Sequence, residues 1–509
     1  MYSIVSTAII HGIQSVPISV EADVSDGLPV FEMVGFLASE VQEAKERVRT
    51  ALKNSGYALP PKHITINFTP ANIRKSGSGF DLPVAVAVLT AFGHIGQETV
   101  GEYFVVGEVG LNGKVQSVNG ILPMVEEAKE RGMKKCVVPW ENVREAALVS
   151  DMQVYAVKNI AEAVRVLNGS GDSFNVPYNI EEMQTKEILD FADVSGQTLV
   201  KRACETAVSG MHNLLFIGPP GAGKTMIAER IPGILPPLNT KERMEISKIY
   251  SVCGLLEHKK GLIQERPFRA PHHTITPQGL AGGGALPKPG EISLAHKGIL
   301  FLDELTEFQR ETLEILRQPM EEKKICIARL HASYEYPADF MLVAAMNPCK
   351  CGYYPDMQKC TCTSAAVDRY LRKVSRPLLD RIDVCVEVPS IRFQDLYNTG
   401  KGENSCKIRE RVMRTQKIQK ERYRGENFCF NSHIPSSKIF EYCKLDEKQK
   451  IYMEQMYNKL NLTARTCHKI LRVARTLADM DECEQIKMRH LNEAICYRNI
   501  DRKFWEGMG

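Results

Sequence analysis

The segment Gly218-Pro219-Pro220-Gly221-Ala222-Gly223-Lys224-Thr225 has the spacing G-x-x-x-x-G-K-T. Glycines at these places let successive backbone N–H groups wrap a phosphate chain, and a helix beginning at the lysine adds a partial positive charge. Lys224 is expected to neutralise the β- and γ-phosphates of ATP, and the Thr225 hydroxyl to bind Mg2+. Further on, the apolar run GILFLDEL ends in Asp303 and Glu304. Asp303 suits the Mg2+ shell, and Glu304 suits a general base that polarises the attacking water. A third apolar run, FMLVAAMN, ends in Asn347, which reads as a sensor of that water or of the γ-phosphate, or else as a cap on the next turn. Two arginines complete the set. Arg381, in RPLLDRIDVCVEV, could reach the ATP of a neighbouring subunit, and Arg465, in NLTARTCHKILRVARTLADM, could fold over the nucleotide. Spacing alone leaves both equally open to being salt-bridged helix arginines.

A second constellation follows Asn347. Cys349, Cys351, Cys360 and Cys362, in NPCKCGYYPDMQKCTC, form two C-x-C pairs joined by a turn-like GYYPD. Four thiolates so placed can close the tetrahedral site that zinc prefers. The competing reading is four free thiols.

These residues need elements to carry them. NLLFIG, GILFLDE and FMLVAAMN read as buried strands separated by helices, which implies a mainly parallel sheet covered on both faces. Ligands of such sheets lie at the carboxyl ends of the strands, where each motif falls. Ahead of this region, HITINF, YFVVGEV and KKCVVPW read as strands. SEVQEAKERVRTALKNSG reads as a helix with Val41, Ala44, Val48, Ala51 and Leu52 at helical spacing. GSGDSFNVPYN reads as a linker. Beyond Pro389 no segment reads as a strand, whereas KQKIYMEQMYNKL and ARTCHKILRVARTLADM read as helices. The expected domains are therefore 1–168, a linker over 169–184, an α/β core over 185–390 and a helical domain over 391–509.

A chain of 509 residues exceeds one core, and about 150 residues per domain gives roughly three. Its 44% hydrophobic and 25% charged residues describe an ordinary globular protein, and a net charge of +4 excludes little. The stretch Lys407–Arg424 is locally basic and reads either as a solvated helix face or as a nucleic-acid surface. The N-terminus lacks the basic and apolar regions of a secretory signal. The longest apolar run, Leu82–Phe92, falls short of the roughly 20 residues that span a bilayer. Fifteen cysteines then read as free thiols or metal ligands in a cytoplasmic protein with no membrane partner.

The run RPFRAPHHTITPQGLAGGGALPKPGEISLAHKGILFLDEL, with LRQPMEE, AAMNPCKCGYY and LLDRID, resembles the magnesium-chelatase-like AAA+ proteins, more narrowly their ComM/YifB subgroup. FLASEVQEAKERVRTAL and KSGSGFDLPVAVAVL are similar to that subgroup's N-terminal domain, and LTARTCHKILRVARTLADM to its C-terminal domain. The resemblance implies an ATP- and Mg2+-dependent homo-hexameric motor acting on DNA in branch migration. A magnesium chelatase motor subunit and a protein-remodelling chaperone are the alternatives. It assigns Lys224 and Thr225 to the P-loop, Asp303 and Glu304 to Walker B, Asn347 to sensor one, Arg381 to the finger and Arg465 to sensor two. The implied architecture is an N-terminal Lon-protease-like α+β domain, an AAA+ P-loop α/β core and a C-terminal helical lid.

Three details qualify this picture. The subgroup pattern S-G-P-L-L-D-R-I-D has Arg376 in place of its glycine here, which puts the backbone of the finger loop in question. GEVGLNGKVQSVNGILPMVEEA resembles the Lon proteolytic domain, but Asp81 stands at the serine position and Met124 at the lysine position, so peptide hydrolysis is not expected. Ser78 has no lysine at the required spacing. KKICIARLHASYEYPADF, with Arg329 and His331 near its tip, and the loop Gly282–Gly284 have the pattern of pore elements or of plain surface hairpins.

Overall fold

The computed structural model describes residues 1–174, 189–256, 261–284, 287–329, 332–390 and 402–506. The chain divides into two compact units. One comprises Met1–Gln184, Asn239–Ile263 and Ala328–Glu335; the other comprises Thr185–Leu238, Gln264–Ile327 and Tyr336–Gly509.

The first unit contains β1 (Tyr2–His11), β2 (Gln14–Ser25), β3 (Phe31–Val34), β4 (His63–Thr69), β5 (Tyr103–Val105), the short pair β6 (Glu108–Val109) and β7 (Val115–Gln116), β8 (Lys135–Pro139) and β9 (Gln153–Val157). Seven of these form one mixed sheet in the order β3-β4-β2-β1-β5-β8-β9. The long hairpin β1–β2 pairs from Tyr2↔Asp23 to His11↔Gln14. It turns at Gly12, whose φ of +70° suits a residue without a Cβ. The helix Ala44–Asn54 buries Ala44, Val48, Ala51 and Leu52, the face expected from its spacing. The helix Asp81–Ala91 is buried along its whole length, so the longest apolar run of the sequence is core. Among the described residues no helix is long and apolar enough to cross a membrane. Of the expected linker, residues 169–174 are described, with Phe174 N donating to Val154 O at 2.7 Å; the remainder, to 184, lies outside the described residues.

The strands from residue 214 onward are β10 (Leu214–Ile217), β11 (Phe268–Arg269), β12 (Gly282–Gly283), β13 (Lys288–Pro289), β14 (Ile299–Leu302), β15 (Lys324–Arg329), β16 (Ala332–Pro337), β17 (Met341–Met346) and β18 (Val384–Glu387). Five of them make the sheet of the second unit, in the order β11-β14-β17-β10-β18, with every neighbouring pair parallel. β10, β14 and β17 are buried at every position, as parallel strands covered on both faces must be. Alternate residues supply two cores. Leu214, Phe216, Ile299, Phe301, Met341 and Val343 face one, and Leu215, Ile217, Leu300, Leu302, Leu342 and Ala344 face the other. The helices Ser405–Arg422, Ala464–Met480 and Met488–Asp501 deliver Ile408, Val412, Ile470, Leu471 and Leu491 to the first of these cores. Among the described residues beyond Pro389 there are helices and no strands.

β10 lies between β17 and β18, while the next strand of this sheet in the chain, β11, lies at its far edge. The neighbouring β17 connects the other way, past β10 to β18, and where adjacent strands send their connections to opposite sides a crevice opens at their carboxyl ends, where α/β sheets hold ligands.

Candidate nucleotide site and cysteine cluster

Residues at the carboxyl ends of three parallel strands converge in this crevice. Behind β10 comes the glycine-rich turn, in which Gly221 and Gly223 take φ of +74° and +84°. Those left-handed angles turn consecutive N–H groups to one side, as anion cradles require. The space that a Cβ on Gly221 would fill is open. Gly218 has no such room, since a Cβ there would come within 2.2 Å of Val388 O. The helix Lys224–Ala228 follows at once.

The Lys224 amine is buried and donates to Gly218 O at 2.8 Å, Pro219 O at 2.9 Å and Asn347 Oδ1 at 3.0 Å. Burial lowers its pKa from the ordinary lysine value, and Asp303 and Glu304 oppose that shift. Thr225 Oγ1 donates to Asp303 Oδ2 at 2.6 Å. A hydroxyl and a carboxylate oxygen so close together are the hard oxygen donors that Mg2+ takes, so the residues present fit the ion. Asp303 Oδ1 accepts from Glu304 N at 2.8 Å, which fixes the carboxylate.

Glu304 has φ of +51°, a left-handed backbone seldom seen outside glycine. Such an angle costs energy and persists only where the surrounding structure holds it in place. The Glu304 carboxylate is exposed and lies 3.5 Å from His273 Nδ1. The His273 ring lies tilted against that of His272, with ring centroids 4.1 Å apart and an interplanar angle of 34°. The spacing of the nucleotide motifs gives His273 no role, and the signal in the sequence that points to it is the adjacent pair of histidines in APHHTITP.

The two arginines meet elsewhere. Arg381 is nearly buried and donates to Arg317 O and Pro377 O, and its guanidinium lies 2.9 Å from Glu321 Oε1. Arg465, half exposed, approaches the same Glu321 oxygen at 3.6 Å. The structure thus brings Arg381 and Arg465 together on one carboxylate, and separately joins Lys224 to Asn347 and Thr225 to Asp303. Nothing in LRQPMEE marks Glu321 in the sequence as the shared partner of these two arginines. Next to Arg381, Asp383 is buried, 3.0 Å from Lys469 and 3.7 Å from His212. Burial would raise the Asp383 carboxyl, but Lys469 and His212 outweigh it and hold the group well below the usual carboxylate range. Arg376 opens the helix Arg376–Leu379 without a left-handed backbone, so no glycine is required there.

Cys349, Cys351, Cys360 and Cys362 gather their sulfurs within 4.8 Å of one another. Cys349 lies 3.3 Å from Cys351 and 3.8 Å from Cys360, and Cys351 lies 3.5 Å from Cys360. A tetrahedron with Zn–S bonds of about 2.3 Å has edges of about 3.8 Å. The cluster is therefore compatible with one zinc ion.

In the first unit Asp81 is fully buried and takes a two-point ion pair from Arg47, at 2.9 Å and 3.1 Å, plus Val109 N at 3.2 Å. Burial raises its pKa above the ordinary value against the pull of Arg47. Met124 is buried in an apolar cluster, and Ser78 Oγ donates to Glu108. In the basic stretch, Arg411 pairs with Glu205 and Glu403, Arg422 with Asp479, Arg414 with Glu482 and Lys417 with Glu421, and Lys407, Arg414, Lys417, Lys420 and Arg424 are exposed. β12 pairs antiparallel with β13, and β15 pairs with β16. Arg329 ends β15, and His331 lies outside the described residues.

Comparison with known proteins agrees with this geometry. The model for magnesium chelatase, subunit ChlI, matches residues 190–396, that for subunit ChlI of Mg-chelatase matches 20–142, and the ChlI C-terminal model matches 402–498. The chain is 40% identical over 498 residues to the competence protein ComM of Haemophilus influenzae, covering 96% of each chain. It is 40% identical over 501 residues to the YifB protein of Escherichia coli, covering 98% of this chain and 97% of YifB. Lon protease 2 of Bacillus subtilis is 30% identical over 138 residues, 27% of this chain and 24% of that protease. The parallel sheet, the nucleotide crevice and full-length similarity together place the chain in the ComM/YifB group of magnesium-chelatase-like AAA+ proteins.

Proposed function

We propose that the protein is a ring-forming ATPase, a homo-hexamer that remodels branched DNA as a branch-migration helicase. The observation that carries the ATPase reading is the pair of contacts Lys224–Asn347 and Thr225–Asp303 at the carboxyl ends of three neighbouring parallel strands, β14, β17 and β10. In this reading Lys224 and the N–H groups of the turn from Gly218 to Gly223 hold the phosphates of ATP. Thr225 and Asp303 hold Mg2+, which when bound neutralises charge on the phosphate oxygens. Glu304 takes the proton of the attacking water, with His273 and the left-handed backbone fixing the carboxylate. Asn347 orients that water, Arg381 serves the nucleotide of the neighbouring subunit, and Arg465 senses nucleotide from the helical lid. The Lon-like region acts as a scaffold without protease activity, because Asp81 is committed to Arg47. The four clustered thiols hold one zinc ion.

DNA as the partner rests on the ComM resemblance and on the exposed lysines and arginines of the helix Ser405–Arg422. ATP turnover measured with forked DNA, with a porphyrin and Mg2+, and with an unfolded protein separates the three motor classes. Stimulation by forked DNA alone is expected. Stimulation only by porphyrin points to a chelatase subunit, and stimulation only by unfolded protein to a chaperone.

A further inference from the structure

Between Asn347 and the helix Ser364–Leu371 the chain forms no helix or strand, yet this segment touches the nucleotide turn. Gly352, at φ of +88°, faces Pro220 so closely that a Cβ would lie 2.3 Å from Pro220 Cδ and 3.5 Å from Pro220 N. Cys349 Sγ accepts from Gly352 N at 3.2 Å and from Tyr354 N at 3.4 Å. One sulfur of the cluster therefore also sets the position of Gly352.

The segment's ends are tied to the same site. Asn347, two residues before Cys349, binds Lys224. Thr363, directly after Cys362, caps the helix Ser364–Leu371 by accepting from Ala366 N. Tyr370 of that helix accepts from Thr306 Oγ1 at 2.6 Å, in the turn that follows Glu304. A loop of this length lacking ladder hydrogen bonds carries a large ordering entropy. Four short side chains meeting at one point are the feature that can offset it, if something holds the sulfurs together.

We infer that the cysteine cluster is a zinc-held brace for the P-loop, in which metal occupancy fixes Gly352 against Pro220 and so sets the affinity for ATP. This rests on the zinc reading of the four thiols. It adds that the ion acts on nucleotide binding and not only on local folding. Metal binding at four thiolates orders its loop on loading. The ordered loop presents a flat glycine to Pro220, and the turn is preorganised before the nucleotide arrives.

The test uses the full-length protein in excess Mg2+, with zinc content read by elemental analysis and affinity by titration of a fluorescent ATP analogue. Metal-replete protein is expected to carry one zinc per chain. Stripping zinc with a zinc-selective chelator is expected to weaken nucleotide binding by about tenfold or more, and zinc re-addition to restore it. Gly352→Ala is a second arm, because it leaves all four cysteines in place while its Cβ pushes the loop off Pro220. It is expected to keep its zinc and lose affinity to a similar degree. Zinc at one per chain with unchanged affinity after stripping overturns the brace and leaves the zinc site standing. Zinc below about half an equivalent in metal-replete protein overturns the zinc reading itself, and the brace with it. If stripped protein unfolds, Gly352→Ala decides, and a zinc-loaded variant that binds the analogue like the parent overturns the brace.

Discussion

Lys224 and Asn347 are joined side chain to side chain, amine to amide oxygen, across 3.0 Å. The contact links the turn after β10 to the end of β17, two strands that lie side by side in the parallel sheet. An amide at the end of an otherwise apolar strand has a partner here, and that partner is the residue expected to meet the phosphates. The pair is thus poised to separate when phosphate oxygens take over the lysine's protons.

Phosphate contact and water activation are separable by substitution. Lys224→Ala is expected to abolish ATP binding. Glu304→Gln is expected to bind ATP and to turn it over about 10²- to 10⁴-fold more slowly, as loss of a general base does. Equilibrium binding and single-turnover rates on both variants check this. A Glu304→Gln protein hydrolysing at the parent rate removes Glu304 from the mechanism.

Arg381 is expected to complete a site on a neighbour. Arg381→Ala should lower turnover by about 10³-fold or more, in the range of known arginine fingers, while leaving ATP binding intact. Mixing Arg381→Ala with Lys224→Ala subunits should restore part of the activity, since some interfaces then hold Lys224 and Arg381 together. Normal turnover by Arg381→Ala alone contradicts the trans assignment.

Asp383 is a stability prediction. Its carboxylate is buried against Lys469 and His212, and removing one member of a buried pair leaves the other charge unpaired. Asp383→Ala is expected to destabilise the protein by about 3–5 kcal/mol. Denaturant midpoints of the parent and variant check the loss. A shift of less than about 1 kcal/mol places the pair in the range of surface bridges.

DNA binding by a nearly neutral chain must come from local positive charge. Contact with about four phosphates gives a log–log salt slope near −3 to −4 on duplex. Filter binding or anisotropy from low to physiological salt measures it, and affinity that ignores salt counts against the DNA reading.

Much of this site is legible in the sequence because each motif is local. A strand, a glycine turn and a helix N-terminus are contiguous from Leu214 to Ala228, and each carboxyl-terminal polar residue directly follows its own apolar run. The meeting of Arg381 and Arg465 at Glu321 is not legible, because it joins segments far apart in the chain whose register depends on packing. The same holds for Gly352 against Pro220. The hairpin β1–β2 is a different case. Its alternation of buried and half-buried residues is local, but the mixed sequence YSIVSTAIIH carries apolar residues on both faces near its end, which blurs the period of two. Glu304's left-handed backbone has no sequence signal at all, since nothing in glutamate favours it.

The most direct test of the motor reading is conversion of a labelled four-way DNA junction to duplex products by the full-length protein with ATP and Mg2+. The parent is expected to resolve the junction by strand movement, with Glu304→Gln binding it but leaving it intact. A parent that hydrolyses ATP at a rate unaffected by the junction, and leaves every junction unconverted, contradicts the account.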